Sequence, residues 1–362
     1  MKRKALVIAA VMAAVISSHA VLPVSVEAGW GDVIKSAVVA GVQSKAVIKS
    51  LDAYDNEKRG ELFEHYKETY GVSDDYNANA MMDRVMKNLI RAIGTTDNYV
   101  YEKPYYYFVN QEKSFNAFCS LGHIVSANIG TFSFTGYNED KVAAVIAHEM
   151  VHGQKNHALK NAKKKLTVGS IASVIASGTG AGGDIAVSVI AKNINNVHIT
   201  KPNEREADNI SFDYMAAAGY NVGACAALWQ QVLEGREEQK NVLADILNPS
   251  DHPEPKERRD NFAKKMFTYS GDVVSVESKT GSVKIKNKDF VIPANAFGLS
   301  SMQRAYLVAG NLAKAYHNGA GKEAAYVENG VVMLGGYGII TAAGGAENAY
   351  DLAAKLNSMR GI

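Results

Sequence analysis

Apolar residues recur every three to four positions through much of residues 30–95, and this spacing predicts helices. The clearest example is Met81–Ile90. Two short runs rich in strand-forming residues follow, Tyr105–Val109 and His123–Asn128, and they predict a small β-sheet. A third apolar run, at 142–147, again has helical character. The first half of the chain therefore predicts helices packed on a small sheet.

Residues 166–192 carry two apolar stretches, Leu166–Ser177 and Ile185–Ala191, on either side of a glycine-rich run. Each stretch is too short to cross a bilayer, and the glycines separate them. The pattern indicates either a helical hairpin or flap near a cleft, or a segment that dips into a membrane surface. Lysines between 155 and 165 favour a solvated helix end, with contact to anionic lipid as the alternative.

Residues 268–362 repeat the order strand, strand, helix twice. The two hairpin turns are Lys279–Gly281 and Asn329-Gly330, and the second is typical of a type I′ turn. The two helices are predicted at Ser301–Tyr316 and Glu347–Met359. The region predicts a small α+β domain of two ββα units that binds substrate or a partner.

The first 28 residues have the pattern of a secretory signal peptide. A basic start precedes the apolar stretch Ala5–Ile16, and Val26-Glu27-Ala28 fits a cleavage site. Ser18-His19-Ala20 is the alternative cleavage site, and an uncleaved anchor is the alternative fate. We therefore expect an exported protein in the periplasm or cell envelope.

Charge and cysteine content narrow the functional classes. The chain has 39 basic and 37 acidic residues, and removing residues 1–28 leaves 36 of each. A neutral chain without a basic run does not predict nucleic-acid binding. Cys119 and Cys225 either form one disulfide or remain as two buried thiols.

His148-Glu149-Met150-Val151-His152 follows the apolar run at 142–147. In a helix, residues four apart share a face, so His148 and His152 can bind one metal ion. Glu149 lies beside that face, where it can accept a proton from a water on the metal. Asn138 and two acidic residues after it suit the start of such a helix.

A third ligand is needed, because a catalytic zinc site normally has three protein ligands and a water. Glu204 and Asp208 are four residues apart in a predicted helix. Glu204 can bind zinc while Asp208 orients a ligand histidine. A charged helix start is the alternative interpretation of these acids.

Four blocks of residues follow one another along the chain. They are Asn116–Val125, the HExxH motif with Gly153 and His157, Glu204–Asp208, and Asp251-His252-Pro253 with Arg258. In this order the blocks resemble metallopeptidase family forty-eight, which includes CAAX prenyl proteases, HtpX-type heat-shock proteases and BepA-type periplasmic proteases. The chain departs from the family pattern at Cys119-Ser120, at Leu121-Gly122-His123 and at Asp251.

The resemblance implies a zincin of the gluzincin type at 29–267, mainly helical with a small sheet, followed by the α+β domain at 268–362. It implies one Zn²⁺ on His148, His152 and Glu204, with Asp208 and His157 behind the ligands. Asn116 would line the strand edge that binds substrate, and His123 is a second candidate there; each is otherwise an ordinary polar residue of a loop or strand surface.

The sequence allows three roles for His252. His252 would stabilise the oxyanion, close the site as a fourth zinc ligand, or be an exposed loop histidine, and the resemblance favours closure. Arg258 is expected to tether its loop by ion pairing.

We therefore predict an exported zinc endopeptidase that acts on unfolded or misassembled envelope proteins. The alternatives are a metal-gated chaperone or assembly factor with little proteolytic turnover, and an interaction protein in which the metal is structural.

Overall fold

The computed structural model describes residues 48–165, 200–236, 238–244, 246 and 253–362. The predicted signal peptide, the glycine-rich segment of 166–192 and His252 lie outside these residues. Within them the protein is mainly helical with three small sheets, as the predicted α+β class requires. None of the helices in this part of the chain is long and apolar enough to cross a membrane.

Helices dominate the described residues up to 269 and pack against one three-stranded sheet. A helical stretch occupies 48–55 at the start of the described chain. The named helices that follow are α1 (Arg59–Tyr70), α2 (Tyr76–Ile93), α3 (Tyr99–Glu102), α4 (Ile129–Phe134), α5 (Glu139–Gln154), α6 (His157–Lys165), α7 (Lys201–Ala217), α8 (Gly223–Gly235), α9 (Lys240–Leu243) and α10 (Pro255–Tyr269).

The first sheet has the strand order β1-β3-β2, with β1 at Tyr106–Asn110, β2 at Ala117–Ser120 and β3 at Ile124–Asn128. Strand β1 runs parallel to β3, and β2 runs antiparallel to it. Both strands predicted from composition are therefore confirmed to within one residue. Strand β2 is an edge of this sheet and packs against α5.

His123 does not lie on the strand edge or the strand surface, which were the two positions expected from the sequence. Its ring is buried, its Nδ1 lies 2.9 Å from the Lys103 carbonyl oxygen, and it stacks on Tyr105. Gly122 and His123 both have positive φ, and this short turn carries the chain from β2 into β3. The turn, which the strand pattern does not reveal, directs the ring inward.

Helix α5 lies at the centre of the protein. The Asn138 side chain accepts a hydrogen bond from the Lys141 N–H, so the predicted N-cap is confirmed. Nearly every side chain from Lys141 to Gln154 is buried, because α2, α7, α8 and β2 all pack around this helix. A helix enclosed on all sides has a fixed position, which suits a metal-binding element.

The C-terminal region forms two βββα units rather than the two ββα units predicted. The turns that lead into the third strands are short and have positive φ at Lys286, Asn287, Gly335 and Gly336. The Lys-Asn pair is a weak turn signal in the sequence, which is why the third strand of the first unit was not predicted. The elements are β4 (Val274–Val276), β5 (Val283–Ile285), β6 (Lys288–Val291), α11 (Ser301–His317), β7 (Ala325–Glu328), β8 (Val331–Leu334), β9 (Tyr337–Thr341) and α12 (Ala349–Arg360).

The two units are interlocked and share one apolar core with the first part of the chain. Helix α11 packs on β4 and β5 of its own unit and on β9 of the next. It also packs on α8 and α10. Beneath it, the buried Lys141 ammonium donates to Gln231 Oε1 and Gln303 Oε1, each at 2.7 Å, and burial lowers the pKa of Lys141 to about 8. The C-terminal region thus directly contacts the first turn of α5.

Arg304 and Glu347 join the two βββα units through a buried ion pair with two hydrogen bonds of 2.9 Å. Glu347 also accepts the Ala294 and Ala343 N–H groups. Arg304→Ala would leave a buried carboxylate without its cation, so we expect a loss of about 3–5 kcal/mol in the free energy of unfolding, measured in urea. Lys256→Ala, which removes the exposed Lys256–Asp260 pair, is the matched control and should cost less than about 1 kcal/mol.

The same ion pair predicts a pH dependence. Burial would raise the pKa of Glu347, but Arg304 and the two backbone N–H groups lower it overall. The stabilising contribution is therefore complete above about pH 4.3, the pKa of an unperturbed glutamate, and is lost as the pH falls towards the lower folded-state pKa. An Arg304→Ala protein that unfolds at the wild-type urea concentration would contradict this account of the interface.

Candidate metal centre

His148 and His152 lie one turn apart on the same face of α5, and Glu204 reaches them from α7. The two histidine Nε2 atoms are 3.1 Å apart. Glu204 Oε1 lies 3.3 Å from His152 Nε2, and Glu204 Oε2 lies 3.5 Å from His148 Nε2. All three side chains are buried, and one ligand atom from each lies within 4.8 Å of the others.

These distances suit a tetrahedral metal ion. Ligand atoms placed about 2.0–2.1 Å from zinc at tetrahedral angles lie about 3.3–3.4 Å from one another. Two imidazole nitrogens and a carboxylate oxygen are also the donor types that zinc accepts in catalytic sites. The residues present therefore fit a zinc ion, with a fourth position left for another ligand.

Glu204 and Asp208 are the two carboxylates that act on the pKa of His148. Asp208 Oδ1 lies 3.0 Å from His148 Nδ1 and accepts its hydrogen bond. Burial alone would lower the pKa of His148, but Glu204 and Asp208 together raise it to about 10. At His152 burial prevails, and the pKa falls to about 4.

Glu149 is buried beside the two histidines and next to the edge strand. Burial raises the pKa of Glu149 to about 7, while the neighbouring His148 opposes the rise. The Cys119 backbone N–H of β2 also lowers the pKa of this carboxylate, so the two groups lie close together.

Arg258 forms ion pairs as expected, but it does so from helix α10 and with the acidic residues of the centre itself. Its Nε donates to Asp208 Oδ2 at 2.8 Å, and its Nη2 donates to Asp208 Oδ1. The guanidinium lies 3.8 Å from the centre of the Trp229 ring, and its Nη1 is 3.5 Å from Glu204 Oε2. Arg258 thereby offsets the charge of two buried carboxylates and fixes Asp208 behind His148.

His157 and Asn116 are the other candidate site residues that the structure describes. His157 lies behind His152, with the two Nδ1 atoms 2.8 Å apart. Asn116 immediately precedes β2, and its backbone carbonyl accepts from Asn128 N–H and the Thr131 hydroxyl. His252 lies outside the described residues. Cys119 and Cys225 are both buried free thiols.

Two histidines of one helix and a glutamate of another thus form a candidate site for one metal ion. The model of peptidase family M48 matches residues 77–266, more than half of the chain, and the chain belongs to this family. The matched region contains α5, α7 and Arg258, so the family assignment and the centre coincide.

Two related proteins are similar over part of the chain. The metalloprotease LoiP of Escherichia coli is 25% identical over 192 residues, which cover 52% of this chain and 72% of that protein. A putative beta-barrel assembly-enhancing protease of Vibrio cholerae is 23% identical over 164 residues, which cover 43% of this chain and 33% of that protein. The chain therefore spans only a third of the second relative.

Proposed function

We propose that this protein is an exported zinc metalloendopeptidase in which His148, His152 and Glu204 bind the metal. The observation that carries the proposal is the buried triad of ligand atoms with Glu149 beside it. A zinc ion bound there would polarise the scissile carbonyl and acidify the attacking water. Asp208 and Arg258 hold His148 so that its Nε2 faces the metal position.

Glu149 is the proposed general base and acid. It takes the proton of the attacking water as a general base and then delivers it to the leaving amine as a general acid. The Cys119 N–H of β2 lies beside this carboxylate. The reaction would therefore take place directly beside that strand.

Strand β2 is the proposed substrate-binding element. It pairs with β3 on one side, and no other strand of the described residues pairs with it. An extended peptide could add to the free edge through backbone hydrogen bonds, with its scissile bond near Glu149. Asn116, at the start of β2, would lie at one end of that peptide.

Export and envelope protein quality control complete the proposal. Residues 1–28 have the signal-peptide pattern, and one relative is named for enhancing β-barrel assembly. We propose unfolded or misassembled envelope proteins as substrates, with contact to the membrane surface as a further possibility to test.

Casein digestion tests the proposed activity. Residues 29–362, purified with zinc, should degrade casein, lose this activity in a chelator and regain it when zinc is restored. Far-ultraviolet circular dichroism should change little on chelation, because most of the apolar core lies away from the metal position. Unfolding on chelation would instead indicate a structural metal, and digestion that persists in the chelator would rule out zinc catalysis.

A further inference from the structure

A line of hydrogen bonds runs from His152 away from the metal position towards the protein surface. His152 Nδ1 lies 2.8 Å from His157 Nδ1, and His157 Nε2 lies 3.3 Å from Glu206 Oε2. His152 and His157 are buried, whereas the Glu206 side chain is 45% exposed. His157 was already expected behind the ligands, and from this geometry we infer that Glu206 is a further positioning residue, which acts through His157 to fix His152 for metal binding. The inference rests on the proposed zinc site.

The direction of each hydrogen bond follows from the position of His152. Its Nε2 faces His148 Nε2 and Glu204 Oε1, so this nitrogen must be free of a proton to bind a metal. The proton of neutral His152 then lies on Nδ1 and is donated to His157 Nδ1. His157 in turn carries its own proton on Nε2 and donates it to Glu206.

With a single tautomer of each ring, every N–H donor of His152 and His157 faces an acceptor. His157 Nδ1 accepts, His157 Nε2 donates, and the Glu206 carboxylate is an acceptor only. The opposite tautomer of His157 would place two N–H groups against each other at 2.8 Å. A carboxylate behind His157 therefore selects the tautomer that can accept from His152.

The two zinc-binding histidines consequently have different supports. His148 Nδ1 contacts Asp208 directly, and Arg258 holds that carboxylate. His152 Nδ1 contacts a neutral imidazole, with the carboxylate one residue further out. His157 begins α6 directly after Asn156, whose positive φ of 52° turns the chain at the end of α5. This sharp turn returns the His157 ring to the helix that it has just left.

Zinc affinity, measured by competition with a chromophoric chelator, tests the inference without any assay of proteolysis. His157→Ala removes the acceptor, so we expect a dissociation constant about 10–100 times higher. His157→Asn keeps an acceptor at the Nδ1 position but cannot reach Glu206. It should therefore recover most of the loss and remain about threefold to tenfold weaker than the wild type, the scale of one hydrogen bond.

Glu206→Ala is tested in the wild-type protein and in the His157→Asn protein. Glu206→Ala alone should weaken zinc binding about threefold to tenfold, but it should change nothing further in the His157→Asn protein. Asp213→Ala, which removes another exposed carboxylate of α7, is the matched control and should leave the affinity unchanged. If Glu206→Ala weakens zinc binding in the wild-type protein but not in the His157→Asn protein, Glu206 acts through His157.

Three outcomes would overturn the inference. Glu206→Ala could match the Asp213→Ala control, its effect could add in full to that of His157→Asn, or His157→Asn could bind zinc as weakly as His157→Ala. Because Glu206 is exposed, Glu206→Ala tests its action through His157 even if His157→Ala does not fold. A wild-type chain that binds no zinc would refute the proposed function as well. Tight zinc binding by the wild type and by every variant would refute only the role of His157 and Glu206.

Discussion

Glu149→Gln should retain zinc and its fold but lose proteolysis. Glutamine has the size of glutamate, but it cannot take a proton from water. Loss of the general base should lower the rate of casein cleavage about 10²–10⁴-fold, equivalent to roughly 3–6 kcal/mol of barrier. The measurements are the cleavage rate at saturating casein and the zinc content of the same sample.

Asp213→Asn makes the same chemical change at an exposed site on α7 and should cleave casein at the wild-type rate. A Glu149→Gln protein within about threefold of wild type would remove Glu149 from the mechanism. The same variant separates the proposed peptidase from a metal-gated chaperone. A chaperone with Glu149→Gln would still complement a deletion strain, whereas a peptidase would not.

Glu204→Ala should lose most of its zinc and, with it, the activity. Two histidines alone leave the ion one protein ligand short, so affinity should fall by more than the roughly 10–100-fold that accompanies loss of a residue behind a ligand. Zinc per chain after dialysis against buffer gives the first measurement, and casein cleavage gives the second. Full zinc content with full activity would show that Glu204 is not the third ligand.

The central part of the metal centre could be predicted from the sequence because it depends on helix geometry alone. His148 and His152 are four residues apart, as are Glu204 and Asp208, and the spacing places each pair on one helix face. The approach of α7 to α5 is a tertiary contact that no local pattern encodes. The resemblance to a known family supplied that step.

Arg258 and Glu206 show where local patterns are insufficient. Arg258 reaches Asp208 only because α10 packs beside α7 and α8, with Trp229 of α8 as its platform. Glu206 lies two residues from Glu204, so it points away from the metal and meets His157 on the neighbouring α6. Both contacts are determined by helix packing, and neither residue belongs to a periodic pattern with its partner.

The turns between strands were likewise predicted only in part from the sequence. The Asn329-Gly330 turn was predicted because both residues favour positive φ, and both adopt it. Lys286 and Asn287 also adopt positive φ, but lysine seldom signals such a turn, so the third strand of that unit was missed. The left-handed Gly122-His123 turn likewise placed His123 in the core instead of on a strand edge.

A zinc titration of the metal-free protein tests the central claim most directly. Residues 29–362, stripped of metal, would be given increasing zinc while cleavage of casein is followed. The account predicts that activity rises in proportion to zinc and stops rising at about one ion per chain, because the centre has one set of three ligands. Cleavage that is already complete without zinc, or a folded chain that binds one zinc ion and cleaves nothing, would contradict it.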